Sequence, residues 1–559
     1  MWMLFEVSRM RVLGVNAIFH DPSAALVVDG KIVAAAEEER FSRRKHGKRP
    51  VPFSAWELPE LSMRWCLAEA GLRPEDLDAV AYSFDPALSK PVEDLGLFDP
   101  WDHLRQTYAQ NAPGFIASAL PGLDRQQVQF VPHHVAHAAS AALAAPHGRS
   151  AVLVLDGRGE RASHLAGRYV DGRLEVLASQ ELPHSLGLVY ESLTEHLGFL
   201  RSSDEYKVMA LASYGRPRFL EQLRELIRAD GNGGFVAEAP DWSRWAAPRV
   251  DDGTWGGDHA DLACSMQQRL EEVLVELARW LHAQTGERVL TMAGGTALNC
   301  VANSRIWRET AFEEVWVQPA AGDAGTSLGA ALQVCADADQ PTAPMPGAAL
   351  GRAWSDDDLA AWLRAAGVPF STPGDLAGEV ADVLAGNGVI AWFDGRSEFG
   401  PRALGHRSLL AHPGHQENLE RLNDVKGREQ FRPVAPMVLL EHASDIFSGG
   451  PIPSPFMLFV HEVNPQWRQR IPAAVHVDGT ARIQTVEPRT QPRLGATLEA
   501  FHRRTGLPVV INTSLNTAGR PMVDDPRDAL ELFGSAPVDL LVMGPHLVRR
   551  AGLFSAGAR

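Results

Sequence analysis

A chain of 559 residues exceeds what one ordinary core supports and points to about two to four domains. At 45% hydrophobic and 22% charged, with no apolar run near the ~20 residues that cross a bilayer, the composition excludes both a low-complexity chain and a membrane span. A formal charge of −16 disfavours nucleic acid as a partner, and Cys66, Cys264, Cys300 and Cys335 form no C-x-x-C pair, which excludes a zinc ribbon or a disulfide framework.

The opening MWMLFEVSRMRVLGVN starts apolar without a cleavage pattern, and Met10 leads into a strand. The first nine residues are therefore read as an upstream-start extension, and the chain is expected in the cytoplasm. RVLGVNA, SAALVV and, after the turn at Asp29-Gly30, KIVAAAEEER predict a three-strand unit. His20 lies in its first loop, and the basic run Arg43, Arg44, Lys45, His46 follows it as either a solvated surface or an adenylate contact.

Next comes 131-VPHHVAHAAS-140, where His133 and His137, four residues apart, project from one helix face. Asp156 ends the apolar run VLVLDG, and Asp323 opens the small-residue helix of 321-AGDAGTSLGAAL-332. An isolated H-x-x-x-H is more often a pair of ordinary helix histidines. The two flanking acids turn the balance toward a site for a divalent ion such as iron (Fe2+), manganese or zinc.

VLVLDG, SHLAGRYV, Asp171-Gly172 and RLEVLASQE repeat the strand plan about 140 residues after its first copy, which predicts two lobes facing a cleft, by analogy with actin-like and sugar-kinase-like nucleotide-binding folds. Leu262, Met266, Leu270, Val273, Leu277 and Leu281 predict a core helix over 259–284. The strand 288-RVLTMAGG-295 then delivers Gly294 and Gly295 to a helix start carrying Asn299, a place where backbone approaches a phosphate.

The Pro- and Ala-rich stretch 337-DADQPTAPMPGAALGRAW-354 reads as a linker. Beyond it, strands are predicted near 388–393, 434–440, 508–512 and 539–544, with helices near 355–366, 375–386 and 526–534. In this half Arg396, Arg402, Arg407, Lys426, Arg428, Arg432 and Arg482 sit in turn-like sequence, and Asn512, Ser514 and Asn516 follow an apolar strand. In so acidic a chain these predict a phosphate site, against the plainer reading of surface arginines paired with Glu398, Asp424 and Glu429.

The ordered strings FHDPSAALVVDG, EEERFSRRKHG, HHVAHAAS, LDGRGE, KVMALASYG, AGGTALN, GDAGTSLGAA, GPRALGHRSLL, KGREQFRP and NTSLN resemble the NodU/CmcH-type O-carbamoyltransferase family of nodulation-factor and antibiotic biosynthesis, over nearly the whole chain. The resemblance implies an α/β protein. Residues 1–340 form an actin-like (ASKHA) two-lobed domain like the threonylcarbamoyl-transfer proteins, 341–353 a linker, and 354–559 a YrdC-like α/β domain. It implies that the C-terminal domain makes carbamoyl adenylate from carbamoyl phosphate and ATP with Mg2+, and that the N-terminal domain passes the carbamoyl group to a hydroxyl of a small-molecule natural product. A homodimer is compatible with it.

By the same resemblance His133, His137, Asp156 and Asp323 hold the metal. Lys426, Arg432, Arg482 and Ser514 form the activation site, joined by Arg402, Arg407 and Asn512, and His20 is the base. Lys207, Tyr214 and Asn299 are read as nucleotide or loop-positioning residues rather than catalysts. The acceptor class stays open: Asn16-Ala17-Ile18 is shorter and less polar than in aminoglycoside-modifying relatives, and loops around 85–125 and 231–258 are expected to shape the acceptor pocket. The alternatives are a tRNA threonylcarbamoylation enzyme, which the acidic charge opposes, and an actin-like nucleotide-dependent scaffold, which leaves the metal constellation unexplained. Hydrogenase maturation is opposed by the missing zinc-finger cysteine pairs.

Overall fold

The computed structural model describes residues 10–47, 58–249 and 255–550, so the reading of the first nine residues lies outside the described residues. Strand β1 (Arg11–Asn16) has five of its six residues buried, which suits a central strand covered on both faces. It pairs antiparallel with β2 (Ser23–Val28), which turns into β3 (Lys31–Glu37) through Asp29 and Gly30 at φ +51° and +70°. Two successive left-handed residues are what a tight hairpin of this hand needs. Parallel strands β4 (Ala79–Tyr82) and β5 (Val128–Phe130) complete the order β3-β2-β1-β4-β5.

The second sheet repeats the plan. Strands β6 (Arg149–Leu155), β7 (Ala162–Val170) and β8 (Arg173–Glu181) form the antiparallel part, turning at Asp171 and Gly172 with φ +51° and +78°. After a small hairpin of β9 (Ile227–Ala229) and β10 (Phe235–Ala237), parallel β11 (Val289–Ala293) and β12 (Glu314–Val317) give the order β12-β11-β6-β7-β8, the first sheet's order read from the other edge. The duplication expected from sequence is thus present as topology, and the chain has the two-lobed actin-like fold.

Five helices matter to the site: α1 (His133–Ala142), α2 (Glu205–Ala212), α3 (Gly257–Thr285), α4 (Cys300–Glu309) and α5 (Ala324–Asp337). The long α3 buries Leu262, Met266, Leu270, Val273, Leu277 and Leu281, the predicted stripe. Helix α5 lies on β1, β2 and β4, α1 lies on β6, β7 and β11, and the two helices pack on each other between the sheets. Their small residues permit this: a Cβ on Gly14 would fall 1.8 Å from Ser327 O, and one on Gly329 would fall 1.8 Å from Ala136 O.

Residues 341–353 carry no helix or strand. The stretch is tied by main-chain bonds, Ala343 N to Gly30 O, Met345 N to Ala144 O and Gly351 N to Ser397 O. The remaining chain forms a mixed seven-stranded sheet in the order β19-β15-β20-β14-β13-β21-β22. Its strands are β13 (Ile390–Phe393), β14 (Arg407–Ala411), β15 (Ala435–Leu439), β19 (Gln484–Val486), β20 (Val509–Ser514), β21 (Leu540–Met543) and β22 (His546–Arg549). Strands β16 (Phe447–Ser448), β17 (His461–Val463) and β18 (Thr480–Ala481) make a separate ribbon. Helices Asp356–Ala365, Leu376–Ala385 and Pro526–Ser535 fall where the periodicity puts them. The sequence did not signal β14, whose five residues are all buried, because Gly and Arg neighbours give it a turn-like composition.

The two halves meet through polar groups. Arg40 Nη2 donates to Gly400 O at 2.8 Å, Gly400 N donates to Glu37 Oε1 at 2.8 Å, and Arg43 Nη1 donates to Met522 O at 2.7 Å. Among the described residues no helix is long and apolar enough to cross a membrane.

Candidate active site

His133, His137, Asp156 and Asp323 converge between the lobes, each buried, with one ligand atom from each lying within 4.8 Å of the others. Helix periodicity places the two imidazoles, the end of β6 presents Asp156, and Asp323 stands at the start of α5. Asp323 makes no side-chain cap to α5; its carboxylate turns toward the histidines instead, with Oδ1 at 3.7 Å from His133 Nε2 and 3.6 Å from His137 Nε2. Asp156 Oδ2 lies 3.2 Å from His133 Nε2 and 3.5 Å from His137 Nε2.

The donor set fits a divalent ion. His133 Nδ1 lies 3.2 Å from Ser83 O, and donation to that carbonyl fixes the tautomer whose Nε2 lone pair faces the centre. Nε2 of His137 and Oδ1 of Asp323 are buried without a hydrogen-bond partner, a costly arrangement that a cation at their focus would relieve. Burial opposes a charged imidazole, yet the Asp156 and Asp323 carboxylates outweigh it and hold His133 well above the usual histidine range.

His20 stands beside this cluster: Nε2 is 3.8 Å from Asp323 Oδ2, while Nδ1 lies 2.8 Å from Asp21 Oδ2. Phe19 packs edge-on against His133, with ring centroids 5.4 Å apart, and carries Arg105 and Arg158 over its faces at 5.4 and 5.0 Å.

The second constellation lies in the C-terminal half, where it meets α2. Lys426 is buried; its Nζ donates to Ser514 O at 2.8 Å and Oγ at 2.9 Å and to Asn516 O at 3.2 Å. Burial, then the Arg428 and Arg432 charges, push it well below the usual lysine range. Burial and Arg482 push Arg402 down to about 9, and burial with Arg432 and Arg482 pushes Arg428 down to about 9. A guanidinium does not release its proton in water, so this mutual repulsion is expressed as affinity for an anion. Nε of Arg402, Nε of Arg482 and Nη2 of Arg428 are buried and unpartnered, a set of donors left for one. Tyr206 of α2 lies under Arg432, 4.6 Å from ring centroid to guanidinium.

Several expected ligands do other work. Arg407 lies inside β14 and is fully buried, with its guanidinium on the carbonyls of Asp394, Gly395, His406 and Arg352 and 3.8 Å from the Phe393 ring centroid. These contacts lock that strand. Asn512 is buried in β20 and donates from Nδ2 to Ala403 O and Gln484 Oε1, while its Oδ1 is buried without a partner. Asn299 caps α4, accepting from Ala302 N and pairing with Gln267. Gly294 and Gly295 do serve a close approach, but to β6: a Cβ on Gly294 would fall 2.1 Å from Leu155 O, and Gly295 N donates to Asp156 Oδ1 at 3.1 Å. Lys207 bridges Asp204 at 3.1 Å and Glu429 at 3.0 Å, and Tyr214 donates to Phe431 O at 3.2 Å, so both tie the halves together.

Sequence reasoning missed Asp21, Ser203 and Tyr206 and left His46 undecided. Only adjacency to His20 and membership of the basic loop marked two of them.

The profile described as Carbamoyltransferase N-terminus matches residues 11–118 and 111–332, and that described as Carbamoyltransferase C-terminus matches 381–550. An uncharacterised protein of Synechocystis sp. is 35% identical, with 95% of each chain covered. Nodulation protein NolNO of Sinorhizobium fredii is 36% identical over 96% of this chain and 80% of its own, and Nodulation protein U of Rhizobium tropici is 30% identical over 93% of each. With both halves matched and relatives aligned along nearly the full length, the chain belongs to the carbamoyltransferase family of NodU type and is a carbamoyltransferase enzyme.

Proposed function

We propose that this enzyme is an ATP-dependent O-carbamoyltransferase with two chemical stations. The observation that carries this reading is the set of unpartnered cationic donors on Arg402, Arg428 and Arg482 beside Lys426 and Arg432. Such a cluster in an acidic chain answers to a polyphosphate and a second phosphate, here ATP with Mg2+ and carbamoyl phosphate. The domain boundary stays at 341–353, with activation in the C-terminal half.

At the first station water takes the phosphoryl group of carbamoyl phosphate, so that phosphate leaves and carbamate remains. A carbamate oxygen then bonds to the α-phosphorus of ATP as its bond to pyrophosphate breaks, giving carbamoyl adenylate. The arginines hold those phosphates, and Lys426, aimed by Ser514 and Asn516, adds a localised charge. At the second station the acceptor hydroxyl oxygen bonds to the carbamoyl carbon, AMP leaves, and His20 Nε2 takes the hydroxyl proton. His133, His137, Asp156 and Asp323 would hold a divalent ion, Fe2+ first, which when bound supplies positive charge for an oxyanion or a phosphate.

A groove of about 350 Å3 lined by Lys90, Asp99, His103 and Gln106 shares Lys90, Val92, Asp102 and Gln106 with a narrower pocket reaching Phe19, and this supports entry of a hydroxylated natural product from that side. The substrates place the reaction in the cytoplasm. The test is pyrophosphate release from ATP that depends on carbamoyl phosphate, followed by mass spectrometry of an alcohol panel for one added carbamoyl group. Release that ignores carbamoyl phosphate refutes the reading. His20→Asn should abolish carbamoylation and keep ATP/pyrophosphate exchange; loss of both refutes the role of His20.

A further inference from the structure

The loop between β1 and β2 is held in a shape that its residues do not favour. Phe19 and Asp21, on either side of His20, have φ +54° and +50°, and Arg43, His46 and Ser202 nearby have φ +58°, +60° and +57°. Left-handed backbone at a residue other than glycine costs on the order of 1 kcal/mol each, and persists where surrounding bonds over-determine it. Here the bonds are identifiable. Asn16, fully buried, donates from Nδ2 to His20 O and Asp21 O, both at 3.0 Å, and its Oδ1 accepts from Ile18 N and Ser83 Oγ.

Asp21 lies between two imidazoles. Its Oδ2 is 2.8 Å from His20 Nδ1 and its Oδ1 is 2.8 Å from His46 Nδ1, while His46 Nε2 is 3.0 Å from Ser203 Oγ. Burial works against its charge, but His46 and His20 outweigh this and hold the Asp21 carboxyl well below the usual range. An ionised carboxylate only accepts, so both Nδ1 atoms must carry hydrogen. Neutral His20 then has its lone pair on Nε2, the ring atom turned to the Asp323 side.

We infer that Asp21 and His46 are positioning residues for His20: Asp21 fixes the tautomer and direction of the His20 ring, and His46, anchored on Ser203, fixes Asp21. This inference rests on the assignment of His20 as the proton acceptor. Ser203 lies two residues before α2, whose Tyr206 and Lys207 touch Arg432 and Glu429, so the same short segment braces the transfer station and abuts the activation station.

The experiment uses full-length protein loaded with Zn2+ as a diamagnetic probe and labelled with ¹⁵N-histidine, the His20 signals being identified by their loss in His20→Asn. The wild type should show the Nδ1–H tautomer, and Asp21→Ala should lose it. With a carbamoylated alcohol from the panel, Asp21→Ala should lower kcat about 100-fold, leave the acceptor KM within about 3-fold, and keep ATP/pyrophosphate exchange within about 2-fold, the share that a misaligned proton acceptor forfeits. His46→Ala should lower kcat about 10-fold. His46→Asn, whose Nδ2 can replace Nδ1 toward Asp21, should restore most of that rate, whereas His46→Gln should not.

An Nδ1–H signature that survives Asp21→Ala, an unchanged kcat, or equal rates for His46→Ala and His46→Asn would overturn the inference. If the wild type carbamoylates no alcohol, the functional reading fails by itself, and the tautomer signal still decides the positioning.

Discussion

Gly329→Ala tests how tightly the transfer station depends on the helix pair beneath it. A Cβ there would fall 1.8 Å from Ala136 O and 2.7 Å from Ser140 N, whereas real Cβ contacts stay beyond 3.0 Å. The atoms it meets are backbone of α1, which cannot swing aside as a side chain can. Helix α1 must therefore move about 1.2 Å relative to α5, the shortfall between those two distances. Ala136 lies between His133 and His137 on α1, while Asp323 leads into α5, so the displacement separates the imidazoles from a carboxylate that must meet the same ion. Metal–ligand bonds tolerate only about 0.2 Å, and a misplacement near 1 Å costs about 100-fold in rate. Overpacking adds about 1–3 kcal/mol of destabilisation. Elemental analysis after metal-replete purification should show retained metal falling well below the wild type, with carbamoylation down about 100-fold and ATP/pyrophosphate exchange nearly unchanged. Wild-type metal content with wild-type transfer would refute the argument that the α1–α5 spacing sets the centre.

Lys426 predicts a pH dependence at the other station. A bound phosphate favours the charged amine, so ATP affinity is highest where Lys426 is already protonated and falls as pH rises through its depressed pKa, below the usual 10.5; calorimetric titration of Lys426→Arg should show a flatter profile, and equal slopes would reject the assignment. Glu37, which accepts from Gly400 N across the seam, is raised by burial to about 7 from 4.5. Its stabilising share is complete below pH 4.5 and disappears as pH rises through about 7, at most ~3.5 kcal/mol at ~1.4 kcal/mol per unit. Thermal midpoints of Glu37→Gln should therefore vary less over that window than those of the wild type, and parallel curves would count against it. Tyr206→Ala removes the ring under Arg432 and should raise the KM for ATP or carbamoyl phosphate about 2- to 5-fold, from ~0.5–1 kcal/mol of cation–π energy; an unchanged KM would leave the ring without a binding role.

Much of the molecule was legible in the chain. The two Asp-Gly turns with their flanking strands announced both lobes, because a tight hairpin needs left-handed residues at fixed places and few residue types supply them. His133 and His137 announced a shared helix face because 3.6 residues per turn brings positions four apart together. The basic residues announced a cationic cluster through their excess over local acids.

The contacts of Arg407, Asn512 and Asn299 were not legible in the chain for one reason. Their types suit ligand binding, and their spacing cannot tell whether a donor meets a ligand or a backbone carbonyl. That is decided when β14 and β20 enter a sheet and α4 starts at residue 300, burying or capping those groups.

The sequence by itself determined the repeated lobes, the composition of both stations and the order of the elements, since periodicity, turn chemistry and charge are local properties of a chain. Only the tertiary structure decided that Asp21 lies between His20 and His46, that Arg402, Arg428 and Arg482 share one unpaired cluster, and that Tyr206 and Lys207 abut it. These meetings join residues 25 to more than 200 positions apart, and such proximity is fixed by which faces bury together, a choice no local pattern records.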